Sequence, residues 1–144
     1  MTPCLLDVNV LIALLDEQHV HHRRATGWYM ANAQDDWLTC PTTQNGAIRV
    51  LSGPTYGPTS FTPAAAMERL QLLIDETVHR FIADDVSLLD VTRINRTALR
   101  SNGQVTDLYL LALCVSHGIH FATMDHRLRP DAVVGGADRI LYIP

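Results

Sequence analysis

The chain has 144 residues, 47% of them apolar, which suits one domain spanning 1–144 with a substantial core and leaves no room for a second. Its net charge of −4 gives no overall attraction to nucleic acid or to an anionic membrane, and its basic residues are all Arg, with no Lys. No apolar run approaches the roughly 18 residues of a membrane span, and "MTPCLLDVN" reaches an acidic residue too soon for a signal peptide, so a soluble, cytoplasmic protein without membrane contact is expected.

In chain order, "CLLD" (4–7) reads as a short strand and "NVLIALLD", after Asp7, as a helix. "HVHHRRATGWYMANA" (19–33) is predicted helical, with Val20, Trp28 and Ala31 on one side and Trp28 filling core. His19 and His22 would share a helix side, but no Glu lies between them as in H-E-x-x-H, so a solvated face is the expectation. "WLT" (37–39) is a second strand. The next helix, 41–52, opens on Pro41, and its spacing places Gln44 on one stripe with Ala47, Ile48 and Leu51, leaving Arg49 off it.

"GPTYGPTSFTP" (53–63) is a connector, long enough to shape a substrate groove. It leads into "PAAAMERLQLLIDETV", with Thr62 as N-cap and Pro63 in the first helical position. "RFIA" (80–83) is a third strand, and about 85–100 is expected to be helical, stopping at "SNGQ". "VTDLYLLALCVSHG" (105–118) is a helix with Thr106 as candidate N-cap and Gly118 as its stop; "IHFAT" (119–123) and "ILYI" (140–143) are the last strands. Cys4, Cys40 and Cys114 are odd in number, far apart and flanked by apolar residues, which predicts reduced, buried thiols rather than a zinc site.

Strands alternating with helices imply parallel βαβ units and an open α/β sheet covered on both faces. Functional sites in such sheets lie beyond the carboxyl ends of the strands, where the strand order switches. Asp7 ends the first strand, Asp107 lies in the first turn of an apolar helix, and Asp125 follows "HFAT". Any one of these is an ordinary helix cap or turn residue. Together at one sheet end they repel one another unless a cation holds them, and an all-oxygen site suits Mg²⁺ or Mn²⁺. Such a metal neutralises charge on a phosphodiester. Neither a phosphate-binding loop of the G-x-x-x-x-G-K-[ST] type nor a dinucleotide fingerprint is present.

Three stretches, "LLDVNVLIALL", "PTTQNGAIRVLS" and "VTDLYLLALCVSHGIHFATMD", resemble the PIN-domain ribonucleases, and most closely the VapC toxins of bacterial toxin–antitoxin pairs. The likeness spans nearly the whole chain, in order and at matching spacings. It implies a three-layer α/β/α fold on a parallel sheet of about five strands. It also implies Mg²⁺- or Mn²⁺-dependent cleavage of RNA, a homodimer, and inhibition by a cognate antitoxin. By position, Asp7, Asp107 and Asp125 match the family's metal-site aspartates, and Asn9 and Thr106 match the polar neighbours that orient them.

The family pattern has a glutamate where this chain has Gln44, so that position of the catalytic set lacks one negative charge. Weaker metal binding and impaired activity are expected, and Gln44→Glu is expected to restore cleavage. A non-catalytic PIN-like module that binds RNA or antitoxin is the competing reading. An aspartyl phosphatase with Asp7 as nucleophile is disfavoured by Asn9, where a second acid belongs, and by the absence of Lys. Arg49, His126 and Arg127 are candidates for substrate contact, each with an ordinary surface role as its alternative.

Overall fold

Five short strands, β1 (Cys4–Leu6), β2 (Trp37–Thr39), β3 (His79–Phe81), β4 (His120–Thr123) and β5 (Ile140–Tyr142), form one sheet in the order β3-β2-β1-β4-β5. Every neighbouring pair is parallel. The computed structural model describes residues 2–58 and 60–144; Met1 and Thr59, the latter inside the 53–63 connector, lie outside the described residues. β1 is central. The chain adds β2 and β3 on one side and then returns to add β4 and β5 on the other, which puts the switch in strand order between β1 and β4.

The helices are α1 (Val8–Leu15), α2 (His22–Asn32), α3 (Pro41–Leu51), α4 (Pro63–Asp75) and α5 (Val105–His117). Side chains alternate across the sheet, as a strand's two-residue period requires. Cys4, Leu6, Trp37 and Ala122 enter a core shared with α1 to α4. Leu5, Leu38 and Phe121 enter a second core against α5 and the 128–133 loop. Helices on both faces of one parallel sheet make the three-layer α/β/α arrangement. Trp37 is fully buried, and its indole N–H donates to Thr77 Oγ1 at 2.8 Å, so the largest core side chain leaves no polar atom unmet. Cys4, Cys40 and Cys114 are buried free thiols, as expected.

Side-chain caps open α1 and α4. Thr62 accepts from the Ala65 N–H ahead of Pro63, as its sequence pattern indicates. Gly118 ends α5 at φ 66°, in the left-handed region that favours glycine.

Other expectations fail for local reasons. No α-helix forms over 85–100. There Ser87, Asp90 and Asn95 each accept a backbone N–H two residues on, and these turns compete successfully with helix. Ile94 instead bridges to Val133, and only a 3₁₀ turn, Arg96–Ala98, follows. Thr106 does not cap α5: a 3₁₀ turn at Asn102–Gln104 runs straight into it, so Gln104 is the N-cap.

α2 begins at His22 rather than at 19, because 16–21 is a pair of turns in which Asp16 and His19 accept backbone N–H groups. His19 and His22 therefore share no helix face. Val20 and Ala31 are exposed, and the buried stripe is Ala25, Tyr29 and the C-cap Ala33, with Trp28 packed partly buried against that core. α4 ends at Asp75 rather than 78, and β3 starts one residue earlier than predicted, at His79, and leaves Phe81 exposed on the sheet edge.

The loop after β4 returns across α5 through Gly136. A Cβ added there would meet Pro130 O and Leu111 Cδ2 at 2.9 Å each. Gly136→Ala is therefore expected to destabilise the fold by about 1–3 kcal/mol, the usual range for overpacking. Urea unfolding measures it, and an unchanged midpoint would show that the loop shifts freely.

Candidate active site

Asp7 begins where β1 stops. Its extended backbone makes it the N-cap of α1: Oδ1 accepts the Val8 N–H at 2.7 Å. Oδ2 accepts the Thr123 hydroxyl at 2.6 Å and the Asn9 side-chain amide at 3.2 Å. Asn9 is one turn element with two tasks, because its Oδ1 also accepts the Met124 N–H at 3.2 Å. These bonds tie the start of α1 to the end of β4. Thr123 completes the knot by accepting the Asp125 N–H at 3.0 Å.

The three aspartates are electrostatic neighbours across the switch point. Asp7 is 3% exposed, and burial first of all pushes its carboxyl up to about 7; the charges of Asp107 and Asp125 add to the rise, against the Thr123 and Val8 hydrogen bonds. Asp107, in the first turn of α5, is also raised, by burial and then by Asp125. Asp125 goes the other way. The Arg127 guanidinium binds it in a fork, Nε to Oδ1 at 3.0 Å and Nη2 to Oδ2 at 3.3 Å, and holds its carboxyl below the usual range.

Two cavities lie between pairs of these groups. One, of about 450 Å³, is lined by Asp7 and Asp107 with Thr106, Thr42, Asn45 and Arg49. The other, of about 210 Å³, is lined by Asp107 and Asp125 with Arg127, Ser101 and Gln104. Asp107 is the wall between them. Among the described residues, no three His, Cys, Asp or Glu side chains are arranged as a closed ligand group. The three carboxylates thus face one region without converging on one point, because Asp7 is held by Thr123 and Asn9 while Asp125 is held by Arg127. Their chemistry nevertheless fits a hard divalent cation: the donors are all oxygen, Asp107 and Asp125 raise the cost of ionising Asp7, and Asp125 raises that of Asp107.

Gln44 is half-buried, and its side-chain amide donates to Thr39 Oγ1 at 2.9 Å. Thr39 Oγ1 lies 2.8 Å from His79 Nε2, so position 44 ends a three-member chain across β2 and β3. The α3 residues that line the cavity with Asp7 are Thr42, Asn45, Gly46 and Arg49. Gly46 permits that approach: a Cβ there would meet Val8 Cγ2 at 2.7 Å. His126 is held by its ring, Nε2 lying 2.7 Å from Ile143 O. The residue that sequence reading passed over is Thr123. Its signal was available in the spacing T-x-D at the end of a strand, where a hydroxyl can cap the following turn.

A PIN domain family model matches residues 4–130. The chain is 44% identical to ribonuclease VapC44 of Mycobacterium tuberculosis over 137 residues, 95% of this chain and 96% of that protein. It is 42% identical to ribonuclease VapC38 of the same organism over 121 residues, 84% of each. The crystal structure of M. tuberculosis VapC20, described as a Sarcin-Ricin loop cleaving toxin, superposes with a TM-score of 0.59 at 15% identity, covering 84% of this chain and 87% of that one.

A carboxyl whose pKa is higher in the folded than in the unfolded state favours folding while protonated and loses that advantage as pH rises through the folded value. Without metal, stability should therefore fall between pH 3.8 and about 7 as Asp7 ionises. Asp7→Asn should flatten that slope and raise the melting temperature above pH 7. Melting curves in EDTA across this range test it, and parallel slopes for the two proteins would refute it.

Proposed function

The chain belongs to the PIN domain family, and we propose that it is an endoribonuclease toxin of the VapC type, from a toxin–antitoxin module, that hydrolyses RNA phosphodiesters. The observation that carries the site assignment is the placement of Asp7, Asp107 and Asp125 around two adjoining cavities that share Asp107 as a wall, beyond the carboxyl ends of β1 and β4. Ribonucleases of this family depend on a divalent metal. Asp7, Asp107 and Asp125 would hold it here, as Mg²⁺ or Mn²⁺, with Asn9 and Thr106 as polar neighbours. Bound there, the cation supplies positive charge opposite the phosphodiester.

The chain's own residues set the surroundings. Asn9 and Thr123 aim the Asp7 carboxylate. Arg127 keeps Asp125 ionised and offers a guanidinium at the mouth of the site, where it can pass to a phosphate oxygen. Arg49 stands on the opposite wall, beside Asp7 and Asp107. Residues 1–144 form a single PIN domain in this reading, since β5, beyond the matched segment, completes the sheet against β4. A cognate antitoxin, a homodimer and a cytoplasmic location complete the proposal; among the described residues no helix is long and apolar enough to cross a membrane.

Gln44 favours a second reading, a PIN-like module that grips RNA or antitoxin without cutting. Position 44 tolerates either residue. With glutamate, His79 can donate to Thr39 and the Thr39 hydroxyl to the new carboxylate, which reverses the chain of bonds without losing one. Gln44→Glu should therefore fold normally and, by adding a negative charge, raise metal-dependent cleavage at least about tenfold. Equal rates would show that charge at 44 does not limit the enzyme.

Cleavage of single-stranded RNA with Mg²⁺ or Mn²⁺ should fall roughly a hundredfold in Asp7→Asn, Asp107→Asn and Asp125→Asn. Millimolar Mn²⁺ should raise the melting temperature of the unmodified protein more than that of any of the three. No cleavage and no metal-dependent stabilisation in the unmodified protein would instead establish the binding module.

A further inference from the structure

A third cavity, of about 410 Å³, lies on the far side of Asp125 from Asp107. It is formed by α1, the 16–21 turns, Arg24 of α2, the end of α3, Tyr56 and the loop after β4. Its apolar lining is Ile12, Val50 and Met124, with the Tyr56 ring beside them. Tyr56 is fixed in place because its hydroxyl donates to the buried Asp16. His19 and His21 supply the polar edge, half-buried with ring centroids 5.6 Å apart.

The charged groups here are already committed. Arg24 reaches the lining but donates to the backbone oxygens of Ile143 and Pro144. Arg127 is on Asp125. Asn9 spends both ends of its amide on Asp7, Thr123 and Met124. Among the described residues, the guanidiniums lining this cavity are engaged by the protein itself, so a phosphate gains Arg127 only by displacing Asp125 from it. An aliphatic side chain would offer nothing to His19 Nε2 or to the His21 ring. A flat heteroaromatic ring with hydrogen-bonding edges meets both conditions.

We propose that this cavity binds one unstacked RNA base, from a nucleotide adjoining the phosphate at Asp125, and that His19 and His21 read its edge. The proposal rests on the ribonuclease reading above and names its substrate as single-stranded RNA. His19 Nδ1 accepts the His21 N–H at 3.0 Å, which makes Nε2 the protonated nitrogen, a donor suited to a base carbonyl or ring nitrogen. Burial lowers the His19 pKa, with His21 and His22 adding to it against the charge of Asp16.

The test is a titration of the unmodified protein with CMP, UMP, AMP and GMP in EDTA, with ribose 5-phosphate as the control lacking a base, read on the His19 and His21 ring resonances by NMR. At least one nucleotide should shift both rings saturably at millimolar concentration while ribose 5-phosphate does not, and His21→Ala should weaken that binding by about fivefold. Equal shifts from ribose 5-phosphate, or none from any nucleotide, would overturn it. So would shifts produced only by a leucine-rich peptide, which would assign the cavity to a protein partner. RNA cleavage separates the two readings. Cleavage with the same cut-site preference in the unmodified protein and His21→Ala removes the base site and keeps the nuclease. Nucleotide-specific shifts without cleavage support the cavity and remove the nuclease.

Discussion

The hydrogen bond from the Thr123 hydroxyl to the Asp7 carboxylate holds the site together. It joins the ends of the two central strands at the point where the chain changes direction across the sheet. Thr123 is wholly buried and serves three partners: it donates to Asp7 and accepts from Asn9 and from the Asp125 N–H. A buried polar network of this kind is favourable only when every member is satisfied, and then it fixes geometry more sharply than apolar packing can. It aims one aspartate and starts the turn that carries another. The sheet supplies the scaffold, and this single hydroxyl sets how its two inner strand ends are joined.

The same region is where the protein gives up stability. Asp7 is desolvated, and it stands within the fields of Asp107 and Asp125. The structure relieves the repulsion unevenly. A proton is favoured on Asp7, a guanidinium neutralises Asp125, and Asp107 is raised by burial and by Asp125 against the field of Arg127. Carboxylates kept in such different surroundings are distinguishable chemically although they are the same residue. In the proposed function, a divalent cation would take over this relief, in exchange for the proton on Asp7 and the ion pair on Asp125.

Much of this was legible in the sequence because it rests on short-range rules. The strand–helix alternation, Pro41, Thr62 with Pro63, and Gly118 are local signals, and each marks an element boundary. The aspartates were legible because strand ends and helix starts are where an α/β sheet gathers its polar groups. The failures are also physical. The 85–100 segment has enough apolar residues for a helix, yet Ser87, Asp90 and Asn95 bond to their own backbone, and Ile94 finds Val133 about forty residues away, a long-range pairing that no local pattern encodes. Gln44 was placed correctly along its helix, but the direction of its side chain depended on Thr39 and His79, partners supplied by two other strands. Arg127 was noticed for its charge, while its fork onto Asp125 needed the turn that Thr123 creates.

An acidic chain that handles RNA cannot rely on a broad basic surface. With a net charge of −4 and the guanidiniums of Arg24 and Arg127 engaged by the protein itself, little cation is left near the aspartates for non-specific phosphate binding. In the proposed function, affinity would come from contacts that are specific by nature: a divalent metal held by the aspartates, Arg127 passing from Asp125 to the backbone, and a neutral cavity that accepts a base by shape. Each requires the RNA to present an unpaired, splayed nucleotide, because a base held in a duplex reaches none of these groups together. In the proposed function, selectivity for unpaired RNA would follow from this arrangement, because the guanidiniums of Arg24 and Arg127 are held by the protein until a correctly placed group displaces them.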